Sequence, residues 1–227
     1  MTPLAPAAAP TQITELVHQA HRLASLGLSP GTSGNISVRV GSSLYLSATG
    51  SSMSTITEDD LAELSLDGEH LSGPRPTKEA PLHLAFYRKD PHTQAVVHLH
   101  SAHAVAASCL PPYSERSALP PITPYFVMRV GQTPLIPYAP PGSDEHAAQL
   151  DKRTFMFRAA LLQNHGSIVA GHTIPQAAEA AIELETAAEV LLHLGAQNFT
   201  PLTDAQAHEL AEHYRSCWDV EGSSAHQ

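Results

Sequence analysis

Residues 36–48, ISVRVGSSLYLSA, constrain the fold most. Apolar and polar residues alternate in ISVRV (36–40) and in SLYLSA (43–48), with a turn at Gly41 between them. A period of two marks strands with one face buried, and so short a connection pairs them as an antiparallel hairpin. LSLDGEHLSG (64–73) repeats the pattern as strand, Asp-Gly turn, strand. Elsewhere the period is helical. Ile13, Leu16, Val17, Ala20, Leu23 and Ala24 recur at 3–4 spacing from Thr11, and Gly27 ends that run. A polar turn at 47–57 leads to a short helical turn expected within 57–64. A helix is expected from Thr77 to about Lys89, with Pro81 harmless in its first turn. Further helices are expected over 101–110, 145–152, 175–195 and about 203–217. Buried strands are expected over 95–100 and 158–163, and another after the turn at 164–166. Residues 111–124 read as irregular, and 126–131 and 133–142 as short extended pieces.

Helices alternating with hairpins predict an α/β domain whose mixed or antiparallel sheet is covered by helices on both faces. With 227 residues the chain can bury one sizeable core. The expected layout is a disordered Ala/Pro-rich tail over 1–10, a single domain over 11–218 and a flexible tail over 219–227.

Charge narrows the function. The net charge is −10, and the 12 Lys and Arg form no cluster. That argues against nucleic acid and anionic membranes as partners, but not against a small anionic substrate held by local groups. The charged fraction of 15% is low, a hint of surface buried between subunits. The two cysteines, Cys109 and Cys217, form no metal or disulfide framework. They suit a reducing cytoplasm and read as buried structural thiols. The opening MTPLAPAAAPT lacks a basic n-region and is broken by prolines, unlike a signal peptide, and no apolar run is long enough to span a bilayer.

Four stretches carry candidate chemistry. In AVVHLH (95–100), His98 and His100 lie two apart, on one face of a strand end. They read either as neutral metal ligands or as two surface histidines. In LLQNHG (161–166), His165 follows a strand. It reads as a turn residue, or as a third ligand completing a three-histidine site with an open position. GTSGN (31–35) and SATG (47–50) read as plain turns, or as a cradle of hydroxyls, N–H groups and the Asn35 amide for a phosphate. Glu79 reads as a carboxylate complementing a helix dipole behind a Thr77 cap, or as a catalytic acid/base. His103, beyond the strand, reads as structural, and His172 carries no predicted role.

GTSGNISV, SATGSS, RPTKEAPLHLAFYR, AVVHLHSAHAVA and LLQNHGSIVAG occur in the order found in the class II aldolase/adducin family. That family includes fuculose-phosphate aldolase and ribulose-phosphate 4-epimerase, and the resemblance spans about Thr11 to Leu202. It implies a three-layer α/β/α sandwich with a mostly antiparallel sheet, and a homotetramer with interfacial active sites. It also implies Zn2+, or Mn2+ or Co2+, on His98, His100 and His165, with Glu79 as catalytic acid/base. Phosphate and substrate contacts map to Thr32, Gly34, Asn35, Thr49, Gly50, Thr77 and Lys78.

The P-T-K-E-x-x-x-H form, followed by HLHS and by TPYFVMRVG…PLIPYAPPG, is similar to the branch that decarboxylates 3-oxo-tetronate 4-phosphates to dihydroxyacetone phosphate and CO2. In the aldolases a second serine usually precedes the acid, where this chain has Lys78. For that branch the resemblance implies metal stabilisation of an enediolate, protonated through Glu79. Tyr125 and Arg129 are candidate pocket residues, with core packing an equal reading of Tyr125. Two alternatives stay open: an aldolase or epimerase acting on another sugar phosphate, and a non-catalytic adducin-like interaction module.

Overall fold

The computed structural model describes residues 11–219; the tail expected over 1–10 lies outside them, as does the tail expected over 219–227 apart from Asp219. Helix α1 (Gln12–Ser25) begins where the Thr11 hydroxyl accepts from Thr14 N, and it buries Leu16, Ala20 and Leu23. The hairpin is β1 (Asn35–Val40) and β2 (Ser43–Ser47). Strands β3 (Leu61–Ser65) and β4 (His70–Ser72) form the second hairpin. Helix α2 (Ala80–Lys89), β5 (Ala95–Leu99) and α3 (Ala102–Ser108) follow. The chain continues through α4 (Pro124–Arg129), β6 (Leu135–Ile136), α5 (Asp144–Asp151), β7 (Ala159–Leu162) and β8 (Gly166–Gly171). It closes with α6 (Ile174–Leu194) and α7 (Asp204–Tyr214).

The eight strands form one sheet in the order β4-β3-β2-β1-β5-β8-β7-β6. Every pairing is antiparallel except β6 with β7. Helices α1, α3, α4, α6 and α7 pack on one face, around Leu16, Leu23, Phe126 and Leu184. Helices α2 and α5 pack on the other, around Leu84, Phe86 and Leu150. This is the expected α/β/α sandwich with a mostly antiparallel sheet. Central β5 is buried on both faces: Ala95, Val97 and Leu99 join the first core, and Val96 joins the second.

Local expectations fail at five places. Residues 126–129 are helical, not extended, because the Thr123 hydroxyl accepts from Phe126 N and Pro124 starts the first turn. The helical turn within 57–64 is a 3-10 turn of only Glu58–Asp60, and β3 begins at Leu61. Helix α2 begins at Ala80 with Glu79, not Thr77, at its cap position. Thr77 is held extended instead: its N–H donates to Ser47 O, and neighbouring Pro76 bridges Ala48. Cys109 is exposed, not buried, while Cys217 is half-buried. Asp219, placed in the tail, is tied to the fold, accepting from Arg116 and donating from its backbone N to Gln132 Oε1.

Candidate functional site

Three elements bring the histidines together. His98 lies within β5, and His100 stands one residue past its end. His165 sits in the turn between β7 and β8, which flanks β5. Asn164 holds that turn in the left-handed region at φ 58°, a conformation asparagine tolerates. At Gly166 any Cβ would collide with Leu99 O, so only glycine lets this turn lie against the end of β5. On the other flank, a Cβ at Gly34 would come within 2.8 Å of His98 O. Glu79 reaches the same point from the start of α2.

The ring nitrogens converge. Nε2 of His98 lies 2.9 Å from Nε2 of His100, which lies 3.1 Å from Nε2 of His165. Glu79 Oε2 is 3.3 Å from His98 Nε2, and Oε1 is 3.4 Å from His165 Nε2. All four ligand atoms fall within 4.8 Å of one another. His98 Nδ1 lies 2.8 Å from Ser167 O. A carbonyl only accepts, so Nδ1 carries a hydrogen and Nε2 is the ring atom turned to the cluster. Burial, then the neighbouring His98, pushes the His100 pKa down to about 4 and also lowers that of His165, favouring neutral rings. Burial alone would raise the Glu79 pKa, but His98, the Asn35 amide and His165 outweigh it and lower the carboxyl. Buried Glu79 Oε1 has no hydrogen-bond partner among the described residues. A divalent cation fits this donor set, because it would satisfy imidazole lone pairs and a carboxylate oxygen together.

The cluster opens into a cavity of about 350 Å3. Thr32, Gly34, Asn35, Thr49, Gly50, Thr77 and Lys78 all line it, with Glu79, His100 and His165. The loops are pinned together, with Thr49 N donating to Arg75 O and Thr77 N to Ser47 O. Those two N–H groups are engaged, which leaves their hydroxyls as the polar groups Thr49 and Thr77 have for the cavity, that of Thr77 also accepting from Glu79 N. The Asn35 side chain is turned to Glu79 and to His83 on α2. Lys78, exposed, is the one Lys or Arg among the lining residues.

Tyr125 and Arg129 do not reach this cavity. Tyr125 is 56% exposed, which excludes core packing, and Arg129 pairs with Glu183 and Glu179. His103 is structural, as expected. Glu185 of α6 accepts from its ring, from the Ser101 hydroxyl and from the backbone N–H groups of His103 and Ala104. That carboxylate caps α3 and holds the segment just after His100. Sequence reasoning gave no role to His83, four residues after Glu79 and so on the same helical face; that spacing was the available signal. It also passed over His146, whose ring centroid lies 5.8 Å from that of His165.

The chain matches the Class II Aldolase and Adducin N-terminal domain over residues 14–192. It is 41% identical, over 185 residues, to the 3-oxo-tetronate 4-phosphate decarboxylase of Haemophilus influenzae, covering 81% of this chain and 88% of that one. It is 31% identical to the L-fuculose phosphate aldolase of Escherichia coli over 180 residues, covering 78% of this chain and 81% of that one. The crystal structure of YgbL from Klebsiella pneumoniae superposes with a TM-score of 0.84 at 35% identity, covering 89% of this chain and 100% of that one. With the ordered motifs, the sandwich and the histidine cluster in agreement, the chain belongs to the class II aldolase/adducin family.

Proposed function

We propose that this chain is a metal-dependent decarboxylase, converting a 3-oxo-tetronate 4-phosphate to dihydroxyacetone phosphate and CO2. The observation that carries this reading is the placement of Lys78 and Glu79 together in one cavity with His100 and His165. The 41% identity to a decarboxylase supports it. His98, His100 and His165 would hold the ion, zinc in our reading, with manganese or cobalt as alternatives on the same donors. When bound, such an ion supplies positive charge that draws electrons toward the substrate's ketone oxygen.

The chain's own residues have separable tasks. The hydroxyls of Thr32, Thr49 and Thr77 and the backbone around Gly34, Asn35 and Gly50 receive the phosphate. Lys78 offsets the substrate's remaining negative charge. The bond between the carboxylate carbon and its neighbour breaks, CO2 departs, and the electron pair moves toward the ketone to give an enediolate. Glu79, having taken up a proton from water, then gives it to the carbon that lost CO2, and the carbonyl re-forms. The approach of an anionic substrate raises the affinity of Glu79 for that proton. A cavity of about 350 Å3 suits a substrate of this size.

The domain is taken as one unit over 11–218. A cytoplasmic homotetramer with interfacial sites agrees with exposed Tyr113, Tyr125 and Tyr138 and with free Cys109 and Cys217. Among the described residues no helix is long and apolar enough to cross a membrane.

Incubation of the purified protein with 3-oxo-tetronate 4-phosphate tests the proposal. CO2 with dihydroxyacetone phosphate is the expected result. An aldehyde without CO2 would point to the aldolase chemistry named for the 31% identical relative. Elemental analysis should find about one zinc per subunit, with activity lost to a chelator. No bound metal and no effect of chelator would return the chain to a non-catalytic module.

A further inference from the structure

Behind Glu79 runs a single file of buried hydrogen bonds that the chemistry above does not use. Tyr87 Oη lies 2.9 Å from Ser37 Oγ, and Ser37 Oγ lies 2.8 Å from His83 Nδ1. His83 Nε2 lies 2.5 Å from Asn35 Oδ1, and Asn35 Nδ2 donates to Glu79 Oε2 at 2.7 Å. Ser37 is 0% and His83 1% exposed, so water does not complete these contacts.

The polarity of the file follows from its ends. An ionised carboxylate only accepts, so Asn35 presents Nδ2 to Glu79 and Oδ1 to His83. Oδ1 also only accepts, so His83 carries its hydrogen on Nε2. Burial, then the nearby His98, pushes the His83 pKa down to about 3, so the ring is neutral and Nδ1 is bare. The Ser37 hydroxyl therefore donates to Nδ1, and the Tyr87 hydroxyl donates to Ser37. Burial raises the Tyr87 pKa, so that donor keeps its hydrogen. Every donor points toward Glu79 Oε2. An amide does not relay protons, so the file is a fixed dipole, not a proton path. Glu79 Oε1 has no hydrogen-bond partner among the described residues and lies beside cavity-lining His165.

We propose that His83 is a positioning residue: its Nε2–H fixes the Asn35 amide so that Nδ2 holds Glu79 Oε2 and keeps the carboxylate in one orientation toward the cavity. The proposal rests on the acid/base reading of Glu79. Four variants test it together. His83→Leu should lower kcat by about 10–100-fold, as loss of a supporting hydrogen bond does elsewhere, with KM unchanged. His83→Gln, whose amide N–H can reach the same acceptor, should recover most of that loss. Ser37→Ala removes one hydroxyl two hydrogen bonds away from Glu79, and should lower kcat by a smaller factor. Tyr87→Phe leaves Ser37 free to donate and should keep parental kcat. Parental kcat in Ser37→Ala or His83→Leu, or equal losses in His83→Leu and His83→Gln, would overturn the proposal. Ser37→Ala decides alone if His83→Leu does not fold. Nitrogen-15 NMR of the histidine rings, without substrate, should find the His83 hydrogen on Nε2; a hydrogen on Nδ1 overturns the proposal. Failure of the parent protein to release CO2 would sink the decarboxylase reading instead, and the NMR result does not depend on it.

Discussion

The two faces of β5 divide the work of the molecule. Toward α1, α3 and α6 the strand presents Ala95, Val97 and Leu99, all packed in a dry core. Toward α2 it presents Val96 and then His98, beside a buried polar set of Asn35, Ser37, Glu79 and His83. Strand β1 divides the same way, with Ile36 and Val38 on the dry side and Asn35 and Ser37 on the other. Both faces are close-packed, but only one is satisfied by shape alone. The dry face fixes the backbone from which the polar face aims its nitrogens and oxygens. A buried polar set needs that rigidity, because each unpaired group costs about 1–3 kcal/mol.

The comparison can be broken by substitutions on either side. Glu79→Gln should lower kcat by about 10²–10⁴-fold while folding and metal content persist; steady-state kinetics beside elemental analysis would show it. Full activity in that variant would reduce Glu79 to a helix-start carboxylate. Phe126→Ala, deep in the dry core, should cost about 3–5 kcal/mol in denaturant unfolding with kcat of the folded fraction unchanged. A loss of kcat matching that of Glu79→Gln would show that the faces are not separable.

Lys78→Met should lower kcat/KM by about 10–100-fold, the loss of one charge-assisted contact, with little change in unfolding. A parental value would place Lys78 in solvent during the reaction. The smallest expected effect is on pH stability. The His83 pKa falls from 6.5 to about 3 on folding. Between those values the unfolded chain binds more protons, so stability is full above pH 6.5 and is lost as the pH falls. The metal-free protein should therefore lose a few degrees of Tm on acidification through that window. His83→Gln should flatten the slope.

Much of this was legible in the sequence because it is local. The hairpin at 36–48 shows in its alternation, α1 in its Thr11 cap and stripe, and the histidines in their HxH and NHG settings. The misread segments are those decided by one capping group or by a distant pairing. VMRV looks extended until Thr123 and Pro124 are weighed. Thr77 looks like a cap because its link to Ser47 is thirty residues away in sequence. The polar file behind Glu79 depends on the register that sets Asn35 opposite His98 across β1 and β5. No local pattern encodes that register, although the four-residue spacing from Glu79 to His83 was visible.

The cavity's residues also differ in depth. Glu79 and His165 are buried, whereas Thr32, Thr49 and Lys78 stand exposed at its rim. Exposed positions tolerate replacement within about 0.5 kcal/mol, while buried polar ones do not. A scaffold built this way can acquire a new substrate by single exchanges at the rim without rebuilding the reactive centre. Its evolutionary freedom and its chemical constancy are thereby assigned to different residues of one cavity.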